Sequence, residues 1–412
     1  MYLRLNEVQK ELRKLGEKTR QSVRNLTIPS PQKTQVPGEE RFIINTLPEF
    51  KIDKINISSF QSVNFSSIAS LDTSSKLLRS TFLHIGITGG AIKSERNGVL
   101  YHPLNIQDKF IFPITYLDVS RNLVEENLQM VELKNVMGFE YAIDEVLYED
   151  GNVNTLYDVE DMLDEARLYT ENQLMKTIQD DLLIVDGPIY PTPVELMPTF
   201  FSSFPKQKDE IKHWGKATHR WSMAKLIKDR ISVLENRKAV GVVKRLENSR
   251  KLNKIFPDMG RLTDIEVLDL LSERQCSNVI YPEICVIGPF KLTTKVSVTR
   301  EDSGNVILSE NELKDRYAYY VILKLYGFTR SFFRIESFDL NVLNDSIPVV
   351  FGNVSYSSLP VWIDEVDRRA KEVVRALFYL SFEELNDILS FLHDTKLEAI
   401  EIGKTLSTNV PE

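Results

Sequence analysis

Cysteine and histidine are scarce in this chain of 412 residues, with two of the first and five of the second. Cys276 and Cys285 allow one bond between them but no disulfide framework, and neither has neighbours that would complete a zinc site. The expectation is two buried, unpaired thiols. Glycine is sparse too, and none of it forms a Walker-type phosphate loop or a Gly-x-Ser-x-Gly elbow. ATP hydrolysis and the serine-hydrolase elbow are thereby set aside. No apolar run approaches the roughly 20 residues that span a bilayer. Positive charge is not in excess: 51 basic residues face 59 acidic ones, a net charge of −8. A protein held on nucleic acid by its overall charge is excluded, although a local basic channel is not. The first residues, Met1 to Lys10, form a charged helical pattern without the apolar core of a signal peptide. A cytoplasmic protein without membrane contact is expected.

What is present is a succession of strands and helices. Leu3, Leu5, Val8, Leu12 and Leu15 are spaced for one amphipathic helix ending near Val23, and the proline-bearing stretch Ile28 to Gly38 reads as a linker. Residues 1–40 are therefore expected to dock on a partner or a second subunit. From Phe42 onward, strand-like runs appear. One ends at Asp72-Thr-Ser-Ser75, and a second reaches Gly89-Gly90, which reads as a hairpin-like or bent connection. About 96–150 is irregular, with one or two short strands. A long helix comes next, from Val159 to Gln179, its apolar face supplied by Met162, Ala166, Tyr169, Leu174 and Ile178. Strands are then expected at Asp181–Asp186, Ala239–Lys244, Ile284–Pro289, Tyr319–Leu325 and Phe332–Ile335. A helical section from Trp362 to Phe391 is expected to break near Ser381, and 401–412 reads as a tail. The alternation defines an α/β or α+β class with a mixed sheet.

Asp72 and Asp186 each close an apolar run before small, turn-forming residues, which puts a carboxylate at the C-terminal edge of a strand. Turn formation alone accounts for either. Two on neighbouring strands would make an oxygen-rich site for a hard divalent cation, and a third carboxylate would complete a two-metal phosphoryl-transfer centre. Glu171 is the best third acid on local grounds, with Arg167 four residues before it and Glu165 a competitor; an ordinary surface pair is the plain alternative. Lys244, with Arg245, Ser249, Arg250 and Lys251 after it, suits a phosphate-bearing substrate or merely a solvated charge run. His213, Trp214, His219, Arg220 and Trp221 interleave basic and aromatic groups as a single-strand binder would, but core packing by the tryptophans is the preferred reading. Asp364 and Asp367 fall where a helix begins, so dipole capping competes with a metal role for Asp367, with Arg368 or Arg369 turned to a phosphate backbone.

In order, the motifs are Asp72-Thr-Ser-Ser, the Arg167–Glu171 helix with Asp186-Gly-Pro, Val240-Gly-Val-Val-Lys244, Ile287-Gly-Pro289-Phe, Phe333-Arg-Ile-Glu336, and Leu359-Pro through Asp367-Arg-Arg-Ala. This series, from about residue 65 to 375, resembles the NurA family of archaeal DNA-end-processing nucleases. The resemblance implies an RNase H-like, PIWI-like mixed sheet flanked by helices over 41–400, with about 90–150 as an insertion. It implies a manganese-dependent nuclease, with magnesium as a substitute and two ions per site, having 5′-to-3′ exonuclease and single-strand endonuclease activity on DNA ends and single-stranded DNA. It further implies a nucleoid-associated homodimer that works with a HerA-type hexameric ATPase in double-strand-break resection. By position, Asp72, Glu171, Asp186 and Asp367 match the catalytic metal ligands, with Lys244 and Arg368 as substrate contacts. Thr73 replaces the family's usual glycine, and Leu359 its usual tyrosine. Those departures leave a second reading, a decayed adaptor that binds DNA or the translocase without cleaving, and a third, an unrelated α/β protein.

Overall fold

The computed structural model describes residues 42–59, 65–81, 83–106, 114–118, 130–131, 133–135, 146–147, 159–191, 214–256, 262–299, 304–327 and 330–408. The expected leading helix and linker lie outside them. Eleven strands build one sheet: β1 (Phe42–Asn56), β2 (Ile68–Arg79), β3 (Leu83–Ser94), β4 (Gly98–His102), β5 (Ile114–Asp118), β6 (Leu133–Asn135), β7 (Leu182–Asp186), β8 (Lys238–Val243), β9 (Glu283–Thr294), β10 (Arg316–Lys324) and β11 (Arg330–Ser337). Their order is β1-β9-β10-β11-β8-β7-β2-β3-β5-β6, with β4 beside β3. The neighbours β2, β7 and β8 run parallel, and pairing elsewhere in the sheet is antiparallel. Six helices are described: α1 (Val159–Thr177), α2 (Trp214–Leu234), α3 (Asp264–Gln275), α4 (Leu340–Phe351), α5 (Val361–Leu385) and α6 (His393–Thr408). Among the described residues, no helix is long and apolar enough to cross a membrane.

The centre of the sheet is covered on both faces, which is why β7 reads as an unbroken apolar run. Successive side chains on a strand point to opposite faces. Leu183 and Val185 enter the core made with Leu174 and Met175 of α1 and Ile227 of α2. Leu182 and Ile184 enter the core made with Leu343 and Ile347 of α4 and Ile363 of α5. Farther along, α5 lays Val374, Phe378 and Phe382, four residues apart, on Leu78, Ile85 and Ile87. That stripe carries the helix straight through Ser381, where a break was expected; one serine costs a helix only a few tenths of a kcal/mol.

Gly89-Gly90 is no turn either. Strand β3 passes through both, paired with Ser74 and Thr73 of β2. A Cβ on Gly89 would sit 2.9 Å from Val374 Cγ2 of α5, and one on Gly90 would collide with Leu174 Cδ1 of α1. The pair leaves room for helices on the two faces. The tail expected from 401 begins inside α6. Cys276 and Cys285 are buried as expected, but their sulfurs are bonded to each other, joining the end of α3 to β9. In the basic and aromatic segment Trp221 packs in the core, the reading preferred over stacking, and His219 and Arg220 are buried too, with His219 Nδ1 2.6 Å from Glu165 Oε1. The side chains of His213 and Trp214 lie outside the described residues.

Candidate metal centre

The parallel register between β2 and β7 runs from Ile68 opposite Leu182 to Leu71 opposite Val185. Asp72 and Asp186 each come next. Both share the strand face of Leu182 and Ile184, toward α5. The turn expected after Asp72 does not form, because β3 keeps pairing with Thr73, Ser74 and Ser75 and β2 continues to Arg79. Asp72 thus stands at the edge where β7 ends. Asp186 closes β7 itself. Its successor Gly187 has φ +130° and donates its N–H to Val242 O at 3.0 Å, folding the turn across β8. Gly241 permits that approach: a Cβ there would lie 2.6 Å from Gly187 O and from Ile189 N.

The third acid comes from α5. That helix starts at Val361 after Pro360, so Asp367 is in its second turn and is not the cap that a helix start would require. One carboxylate oxygen from each of Asp72, Asp186 and Asp367 falls within 4.8 Å of the others. Lys244, just past β8, donates to Asp186 Oδ2 at 2.5 Å and lies 2.9 Å from Asp367 Oδ1; Lys371 donates to Asp367 Oδ2 at 2.7 Å. Burial, and then the charges of Asp186 and Glu171, push Asp72 well above the ordinary aspartate range. Burial raises Asp186 to about 6 against the pull of Lys244. Asp367 goes the other way: burial opposes its ionisation, but the bonds from Lys371 and Lys244 hold it below the usual value.

Two expected residues are placed elsewhere. Glu171 is outside the cluster of three. It stands on α1, across the sheet from α5, and meets Thr73, whose side chain takes the opposite face from Asp72. Its Oε2 accepts from Thr73 Oγ1 and its Oε1 from Arg230 Nη2, both at 2.9 Å. Arg167 pairs instead with Asp164 at 3.6 Å. Arg368 is exposed, since one residue turns a helix by about 100° and Asp367 already faces the sheet. The cation that does share Asp367's face is Lys371, four residues on. It lines a cavity of about 590 Å³ together with the three aspartates, Lys244, Arg245 and Arg167. Ser249 is turned away, donating to Asp264 Oδ2 at 2.5 Å. The expected motif Phe333-Arg-Ile-Glu336 is structural: Glu336 is buried between Arg316 and Arg334 at 3.0 and 2.6 Å.

Three carboxylates converging on one point, two of them unfavourable as neighbouring anions, make an oxygen-donor set that fits a hard divalent cation. The fold and site thus define an α/β protein with a cluster of three aspartates at a strand edge, suited to hold a divalent cation. The chain belongs to the NurA family, whose NurA domain model matches residues 73–372. No curated protein sequence matches it significantly. Among solved structures it is similar to the NurA nuclease from Sulfolobus solfataricus, at 11% identity and TM-score 0.38 over 81% of this chain and 88% of that one. It is also similar to NurA with manganese (9%, 0.40, covering 92% and 98%) and to NurA bound to dAMP and manganese (9%, 0.42, covering 83% and 93%).

Proposed function

We propose that this chain is a divalent-metal-dependent deoxyribonuclease hydrolysing phosphodiester bonds, with manganese as the preferred ion. The observation that carries the reading is the meeting of Asp72, Asp186 and Asp367 within 4.8 Å in a cavity lined also by Lys244, Arg245, Arg167 and Lys371. These three residues would hold the metal, with Glu171 beside them. When bound, divalent ions supply charge neutralisation at phosphorus and activation of the attacking water. Lys244 reaches both Asp186 and Asp367 and is positioned to donate to a phosphate oxygen. Arg245, Arg167 and Lys371 on the cavity wall offer contacts to flanking phosphates. A cavity of this size accommodates about one nucleotide.

Family membership supports the finer reading: two ions per site, 5′-to-3′ exonuclease and single-strand endonuclease action, a homodimer, and work with a HerA-type hexameric ATPase in end resection at the nucleoid. The strand order β5-β3-β2-β7-β8, with β2, β7 and β8 parallel, supports an RNase H-like core. One observation favours the decayed adaptor instead, the bond by which Thr73 occupies Glu171. End-labelled DNA digested with manganese, magnesium or EDTA, with and without a HerA-type ATPase, decides between them. Metal-dependent products that EDTA suppresses are expected; absence of cleavage under all conditions, with DNA binding retained, would establish the adaptor.

A further inference from the structure

We infer that Arg230 is a positioning residue of the metal centre, locking the strand that bears Asp72 to the turn after Asp186. This role rests on the metal-dependent reading of the site. Arg230 lies on α2, buried to 2% exposure. Its Nε donates to Ile189 O at 2.6 Å, and its Nη2 donates to Pro188 O at 3.2 Å and to Glu171 Oε1 at 2.9 Å. Glu171 Oε2 in turn accepts from Thr73 Oγ1 at 2.9 Å. A continuous bridge therefore runs from the residue after Asp72, through Glu171 and Arg230, to the second and third residues after Asp186. Arg230 lines neither the cavity nor the acid cluster, so it acts only through these partners.

The geometry calls for arginine in particular. One planar guanidinium donates to a carboxylate and two carbonyls at once, which a lysine ammonium on a flexible stem does not reproduce. Burying that charge is expensive where a packed apolar side chain would fill the space at no such cost. The return is a fixed spacing of two strand ends. β2 and β7 stop pairing at Leu71 and Val185, so both aspartates project beyond the last register pair of those strands. The bridge carries the tie past that point. Outer partners of metal ligands commonly govern affinity by about 10–100-fold.

The test is manganese affinity of the full chain by calorimetry and by spin resonance of free Mn²⁺, alongside thermal melts. Arg230→Lys and Arg230→Gln should each weaken binding by about 10–100-fold. Thr73→Val, which swaps a hydroxyl for a methyl at the other end of the bridge, should weaken it in a protein that still melts cooperatively. That variant keeps the test valid if the arginine variants do not fold. Thr73→Val and Glu171→Gln should be non-additive, because they break the same connection. A purely structural role would lower the melting temperature and leave the metal affinity alone, which overturns the inference. Tighter binding in Arg230→Gln would also overturn it, showing that Arg230 withholds Glu171 from the ion. If the parent cleaves DNA with manganese and Arg230→Lys binds the ion as tightly, the inference fails and the nuclease reading stands. If the parent binds no manganese, both fall.

Discussion

Replacing Asp186 by asparagine should stabilise the protein while destroying its cation centre. The carboxylate is held at the end of β7 among Asp72, Asp367 and Glu171, and burial raises its titration point from 3.8 to about 6. The folded state thus binds this proton more tightly than the unfolded chain does. The cost of ionising Asp186 is absent below about pH 4, grows through the interval, and is complete above about pH 6, where it amounts to about 3 kcal/mol. Asparagine is neutral throughout and still offers Lys244 an oxygen. The gain in stability should track the same profile, near zero at about pH 4 and about 2–3 kcal/mol at about pH 7.5. Urea denaturation in EDTA at those two pH values measures it. Manganese should reverse the order: at about 1,000 times its dissociation constant the ion adds about 4.1 kcal/mol to the parent and nothing to a variant that has lost the site. A variant less stable than its parent at neutral pH without metal would refute the reasoning, because Lys244 would then outweigh burial and like-charge repulsion.

The same geometry sets three other outcomes. Asp367→Ala should raise the manganese concentration needed for cleavage and change the melt little, since α5 begins six residues earlier; a lower melting temperature with an unchanged metal requirement would make the residue merely structural. Lys371→Ala should weaken DNA binding at all sequences alike and flatten its salt dependence by about one phosphate's worth, whereas Arg368→Ala should do neither in a salt titration of binding. Gly241→Ala should cost about 1–3 kcal/mol or more in chemical denaturation, because the methyl meets backbone atoms of the Asp186 turn that cannot rotate away.

The two strand-edge aspartates are legible because each ends a short apolar run, and a strand buried on both faces leaves that trace. The segment Thr73-Ser-Ser75 misleads for the converse reason. It resembles a turn locally, but its conformation is set by pairing with β3, a partner that local sequence does not reveal. Gly89-Gly90 misleads in the same way, being a packing requirement imposed by Leu174 and Val374 from distant helices. Glu171 and Asp367 look equivalent as helix acids; which of them faces Asp72 depends on which side of the sheet each helix covers. Lys371 is within reach of sequence reasoning, four residues from Asp367 on the same face. Arg230 is not, since its partners Glu171 and Ile189 lie 59 and 41 residues away.

The bare stretch of β3 at Gly89 and Gly90 has a consequence for the choice of acid. With hydrogen in place of a side chain on both faces, the strand acts as the thinnest available shim between α1 and α5, so α5 rides low over the sheet. At that clearance the shortest carboxylic side chain spans the gap, and all three clustered acids are aspartates. A methyl on Gly89 would press on Val373 and Val374, about two turns beyond Asp367, and lift the helix away from β2. The reach lost is of the order of the one methylene that separates aspartate from glutamate. Gly89 and the ligand type are therefore a matched set, and a homologue that fills this position is expected to lengthen the acid at 367.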